Sequence, residues 1–245
     1  MFVVLGAFNI VLVVHAAKTG RFNPWGYVIL ALPVAGGLAY LLVEVFPDWV
    51  RTPQGLRARR ELMAAVNPDG DYRRASDEFL VTQTPATRLA LARAAMATGR
   101  FGEAHDHFER LIDGPLGDEP FYHVGMAEAE LALDEPARAV ATLEAMRARW
   151  PEGSNPDAHL LYARALEAAG RADEALHEYE DVSNYYPGPE PAVRRAELLL
   201  ARRETAQARD EASRIAAAIA RAPAHVRRKQ AEWSRRARQV AAARE

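Results

Sequence analysis

The stretch Gly170–Tyr179 reads GRADEALHEY, and Gly99–Phe108 reads GRFGEAHDHF. Each places an Ala five positions after the Gly and an aromatic ring four positions after that Ala. The Ala station recurs at Ala104, Ala139, Ala175 and Ala208, at intervals of 35, 36 and 33 residues. Four positions beyond these stand Phe108, Leu143, Tyr179 and Ala212, and twelve before them stand Ala92, Ala127, Ala163 and Ala196. Gly99 and Gly170 hold the turn five positions before the station. Asp134 and Arg203 replace them in the second and fourth units, and Pro151 and Pro187 close the second and third.

Each interval holds two helical runs of about a dozen residues, the length of an ordinary short helix. Antiparallel helices approach closely only where small side chains face each other, and a large residue then fills the space beside them. Gly permits the tight turn, and Pro ends one pair and opens the next. One pair cannot bury its apolar stripe alone, so several must stack.

This spacing resembles the tetratricopeptide repeat, with its period of about 34 residues, small residues at its eighth and twentieth positions, a ring at the twenty-fourth and Pro at the thirty-second. The resemblance covers Pro85–Ala220 and implies an α-solenoid. It departs at the fourth position, where Arg88, His123, His159 and Ala192 stand. Gly70, Ala75 and Phe79 repeat the spacing once more, which predicts a degenerate earlier unit with a first helix near Gln54–Val66.

The amino-terminal segment has a different character. An apolar run precedes Lys18, the turn KTGRFNP follows, and a second apolar run extends to Phe46. As helices, spans 2–17 and 26–46 would rise about 24 and 31 Å against a bilayer core of about 30 Å. Trp25, Tyr27 and Trp49 stand where rings settle at a membrane boundary. A cleaved leader fits poorly because no charged region opens the chain and a longer apolar run follows. Pro33 and Gly36–Gly37 would weaken a soluble helix but are tolerated in a membrane. The pieces Lys18–Arg21, Trp25, Pro33, Gly36–Gly37, Tyr40 and Pro47 resemble the amino-terminal hairpin of cardiolipin synthases and related phospholipase-D-type proteins. The catalytic His-x-Lys signature of those enzymes is absent, so the resemblance implies an anchor without the activity. His15 and Glu44 lie near enough to the span ends to reach the interface. Lys18 and Arg21 in the turn, against Arg51, Arg57, Arg59 and Arg60 after the second span, place the carboxy-terminal part in the cytoplasm.

The expected fold class is therefore all-α: a two-helix transmembrane hairpin (1–49), a linker with a degenerate repeat (50–84), tetratricopeptide-type repeats (85–220) and a basic capping helix (221–245). The capping segment carries eight basic and two acidic residues, with Val226, Trp233, Ala237 and Val240 on one helical face. It reads as a solvated cap, or as a basic surface for anionic lipid headgroups or nucleic acid, although aromatic residues do not regularly interleave its arginines to stack on bases. Phe101–Trp150 is its opposite, with eleven acidic and four basic residues.

The sequence carries no catalytic signature. The chain has no cysteine and a formal net charge of −2, which removes thiolate chemistry and any global attraction to nucleic acid. No phosphate loop, His-Glu-x-x-His or Gly-x-Ser-x-Gly occurs. His105 and His107 point to different helical faces, as do Glu128 and Glu130. His123 and His159 share a repeat position, which stacking could bring together. No cofactor, metal or catalytic residue is expected.

The tetratricopeptide resemblance implies protein or peptide binding by a concave wall of first helices. The fifth and ninth positions then give the groove: Leu89, Arg93, Val124, Glu128, Leu160, Arg164, Val193 and Glu197. The expected protein is a scaffold anchored in the inner membrane, with its repeats in the cytoplasm and no nucleic-acid partner. A regulatory subunit of a lipid-handling enzyme and a periplasmic assembly factor are the other readings.

Overall fold

The computed structural model describes residues 10, 12–18, 20, 22–32, 35–40, 43, 67, 69–114, 119–151 and 155–243. The chain divides into two compact units, Met1–Gly70 and Asp71–Glu245. No strand occurs among the described residues.

In the first unit, residues 12–18 are helical, followed by α1 (Phe22–Ala31) and α2 (Ala35–Tyr40). Leu12, Ala16, Ile29 and Tyr40 form its core, with Val13 and Trp25 packed against it. His15 Nδ1 lies 2.9 Å from the Tyr40 hydroxyl. Ile10, Tyr27, Leu30 and Val43 are about 60% exposed. No helix among the described residues is long and apolar enough to cross a membrane. The ten residues of α1 rise only about 15 Å, and α1 is non-helical at Asn23. The expected spans 2–17 and 26–46 are thus not supported as continuous helices, although much of both lies outside the described residues.

The second unit opens with α3 (Gly70–Val81), whose first residue closes unit one. Four helix pairs follow: α4 (Pro85–Ala97) with α5 (Phe101–Ile112), α6 (Pro120–Ala132) with α7 (Pro136–Arg149), α8 (Pro156–Ala168) with α9 (Ala172–Ser183), and α10 (Glu190–Ala201) with α11 (Thr205–Arg221). Two short helices finish it, α12 (Ala224–Lys229) and α13 (Ala231–Ala241). Each second helix packs on the first helix of the next pair, and α6 also touches α8.

The periodic Ala stations explain this nesting. Ala92, Ala127, Ala163 and Ala196, and Ala104, Ala139, Ala175 and Ala208, are all 0% exposed. They are the points where backbones come together. The filling residues Phe108, Leu143 and Tyr179 are buried beside them. Each contributes roughly 1.5–3 kcal/mol of apolar burial. In the fourth pair the filler is only Ala212. There Val240 of α13 joins the core of Ala196, Leu199, Ala208 and Ala212, so the carboxy-terminal helix supplies the missing volume. The expected single capping helix is broken at Gln230. The break lets α13 lay its Ala237–Val240 stripe against α10 and α11.

The unusual fourth positions are covered from outside the pair. His123 packs on Trp150 with ring centroids 5.3 Å apart. His159 is hydrogen-bonded to Tyr185 and Glu178. Arg88 stacks over the Phe79 ring at 4.7 Å. These separate partners mean that stacking does not pair His123 with His159. Of the predicted earlier unit, the described residues include α3, which buries no residue fully. Its Gly70 begins the helix and lacks the left-handed backbone of Gly99 and Gly170. The predicted first helix at Gln54–Val66 lies outside the described residues.

The four turns within the pairs share one design. Gly99, Asp134, Gly170 and Arg203 have φ of 75°, 62°, 75° and 65°. The next residue's N–H reaches five positions back in each: Arg100 to Ala95, Glu135 to Glu130, Arg171 to Leu166 and Glu204 to Leu199, all at 2.9 Å. This is the Schellman arrangement, which satisfies carbonyls that the helix end leaves open. A left-handed conformation costs a residue with a Cβ about 1–2 kcal/mol. Arg203→Gly should therefore raise stability in urea unfolding by about 0.5–1 kcal/mol after the added chain entropy of Gly. Gly170→Ala should lower stability by a similar amount, although an added Cβ there meets nothing within 4 Å.

Candidate functional site

A groove of about 520 Å³ runs between α4 and α6. Leu89, Met96 and Ala97 form one wall, and Phe121 and Val124 form the other. Phe108 of α5 makes the floor, and Arg93 and Glu128 stand among the lining residues. Phe121 is 44% exposed, a large apolar ring open to solvent at the groove.

Gly125 holds this geometry. A Cβ at Gly125 would come within 2.4 Å of the Phe108 ring. The ring can sit under α6 only because that position has no side chain. Gly in mid-helix costs about 1 kcal/mol relative to Ala, so this Gly is kept for close approach. The period-based reading missed Gly125 because it falls two positions before the Ala127 station and does not recur in the other units. A Gly inside a helical run was the available signal.

The structure gathers half of the expected groove residues. Leu89, Arg93, Val124 and Glu128 line one site. Arg164 is exposed on α8 and acts electrostatically on Glu128. Loss of solvent raises the Glu128 carboxyl above its ordinary value, Arg164 opposes that shift, and Asp157 adds to it. Leu160 and Val193 are 5% and 0% exposed and pack into the core. The fifth position therefore lines the groove only in the first two pairs. Glu197 is taken by Arg236 of α13, with Nε 2.8 Å from Oε1. The chain's own last helix occupies the acidic position of the fourth pair.

The other polar residues singled out by the sequence act within the stack. Glu130 is 2% exposed and accepts from the Thr142 hydroxyl at 2.8 Å. The Arg138 guanidinium lies 3.0 Å from His105 Nε2. His105, Asp106 and Glu109 cluster closely enough for metal ligation, and His105 Nε2 also lies 3.6 Å from Glu130 Oε1. His107 faces Phe79 at 5.8 Å between ring centroids. Burial chiefly, and then Arg88 and Arg110, lower its pKa and favour the neutral ring. Glu178 takes hydrogen bonds from His159 and Arg147. Burial would raise its carboxyl, but these bonds outweigh burial and hold it below the usual range.

If Gly125 sets the groove floor, Gly125→Ala must displace the Phe108 ring. The expected result is a stability loss of about 1–3 kcal/mol by chemical unfolding, as for other overpacked sites. Gly102→Ala is the control, because a Cβ there meets nothing within 4 Å. It should be neutral or slightly stabilising.

Residues 130–196 match the tetratricopeptide repeat family. The fold is similar to the crystal structure of a thermophilic TPR protein from Thermus thermophilus, with a TM-score of 0.53. The two chains are 19% identical, and the match covers 73% of this chain and 96% of that one. No curated protein matches the sequence. The repeat unit is an all-α solenoid of the tetratricopeptide type, a fold that suggests a protein–protein interaction scaffold.

Proposed function

We propose that this chain is a membrane-tethered scaffold that holds an apolar segment of a protein partner in the groove between α4 and α6, without catalysis. The groove itself carries the reading. It is open and largely apolar, it presents Phe121, and Gly125 is kept at its centre at a cost to helix stability. Exposed apolar surface of this kind marks interaction sites more often than it serves the isolated fold. Arg93 has no partner among the described residues, and Glu128 is held partly desolvated. A segment carrying an apolar anchor between an acidic and a basic residue would complete both.

The tether is supported by the character of the first unit. Ile10, Val14, Tyr27, Leu30, Leu32 and Val43 face outward around an apolar core of Leu12, Ala16, Ile29 and Tyr40. Apolar side chains thus stand outside this small core as well as within it, which suits a lipid surround. The distribution of Lys and Arg around the apolar runs favours an inner-membrane protein with its repeats in the cytoplasm.

A photo-crosslinking residue at Phe121 in the full-length chain should capture a defined partner in intact cells. The same residue at Asp210, exposed on α11, should not capture it. Phe121→Glu should abolish capture from a crosslinker at Arg93 while leaving the helical circular dichroism unchanged. Equal capture from Phe121 and Asp210 would contradict the groove as the binding face.

A further inference from the structure

The solenoid neutralises many of its arginines, except in its last layer. Arg171 sits on Glu144 and Glu174, Arg195 on Glu180 and Glu211, and Arg202 on Asp173 and Glu204. From Arg221 onward the pattern changes. Arg221, Arg227, Arg228, Lys229, Arg235 and Arg238 are all exposed, and none pairs with a carboxylate among the described residues. Arg221, Arg227 and Arg238 each donate to one nearby backbone carbonyl, of Ala217, Ala222 and Ser234 respectively. Their remaining donors stay in solvent. Arg236 is the exception, since it docks α13 by its pair with Glu197.

We propose that this terminal layer is a docking face for an anionic lipid surface. Clusters of about four to eight cations on short helices suit such surfaces, and six are available here. The apolar stripe of α13 is already buried at Ala237 and Val240, so contact through this layer would be electrostatic and would not insert. Nucleic acid is the weaker occupant. A single-stranded chain needs rings on which its bases stack. Trp233, the one Trp in this layer, is already engaged by Arg236 at 4.5 Å and Arg194 at 5.7 Å. The face is separate from the groove between α4 and α6, so a scaffold could hold its partner and bear on the membrane at once.

The test uses the full chain, whose lack of cysteine allows a single label. Ala231→Cys, exposed at the start of α13, carries a fluorophore quenched by spin-labelled lipid headgroups. Quenching is measured with phosphatidylcholine vesicles and with vesicles of mixed phosphatidylcholine and phosphatidylglycerol. The expected result is quenching on the anionic vesicles alone, reversed by salt, with affinity falling about fivefold for each cation removed. The combined variant R228E/K229E/R235E should lose it. Flotation of the chain with neutral vesicles reports the tether separately. Equal quenching on both vesicle types, quenching on neither, or an unchanged response in the variant overturns the proposal. So does a label response to single-stranded RNA without one to vesicles. Salt titration of the labelled parent chain decides the matter if the triple variant does not fold.

Discussion

The second unit depends on the close approach of helix backbones at eight Ala positions. At these stations no side chain larger than a methyl group separates one helix from its partner. Everything else in the repeats follows from that distance. The rings of Phe108 and Tyr179 and the Leu143 side chain fill the wedges that the crossings leave. The left-handed turns bring the second helix back at the right angle. Each second helix is then presented to the next first helix, and the stack propagates by nearest-neighbour contact.

Such a stack has two ends, and its carboxy-terminal end is closed by the chain's own last helix. Where Ala212 replaces the expected ring, Val240 of α13 completes the core, and Arg236 fastens the same helix to Glu197. The cap therefore also consumes a groove position. At the opposite end α3 offers a second helix without full burial, and Phe79 serves mainly as a surface for Arg88 and His107. Between these ends a groove opens where Gly125 allows a ring to drop beneath α6 and leaves Phe121 exposed above it.

The period of small residues made the helix pairs, their turns and their core legible from the sequence. Even the left-handed Asp134 and Arg203 could be identified, because each stands where a Gly stands in another unit. The groove was half legible. Leu89, Arg93, Val124 and Glu128 follow from repeat position alone, but Leu160 and Val193 at equivalent positions are buried. Position within a repeat does not set exposure, which depends on how tightly neighbouring pairs close. Glu197 illustrates the same limit, because its partner lies outside the repeats. Gly125 was illegible to a periodic reading since it is a singular adaptation to one ring. Composition drew attention to the first unit, but the described helices there are shorter than the apolar runs implied, with Asn23 departing from helical geometry.

The central claim is that small side chains at the repeated stations permit the nesting of helix pairs. Urea unfolding of Ala163→Leu beside Ala168→Leu tests it most directly. Both changes add the same atoms to α8, but Ala163 is fully buried at a crossing and Ala168 is exposed. The account predicts a loss of about 1–3 kcal/mol at Ala163 and little change at Ala168. Equal stability in the two variants would contradict it.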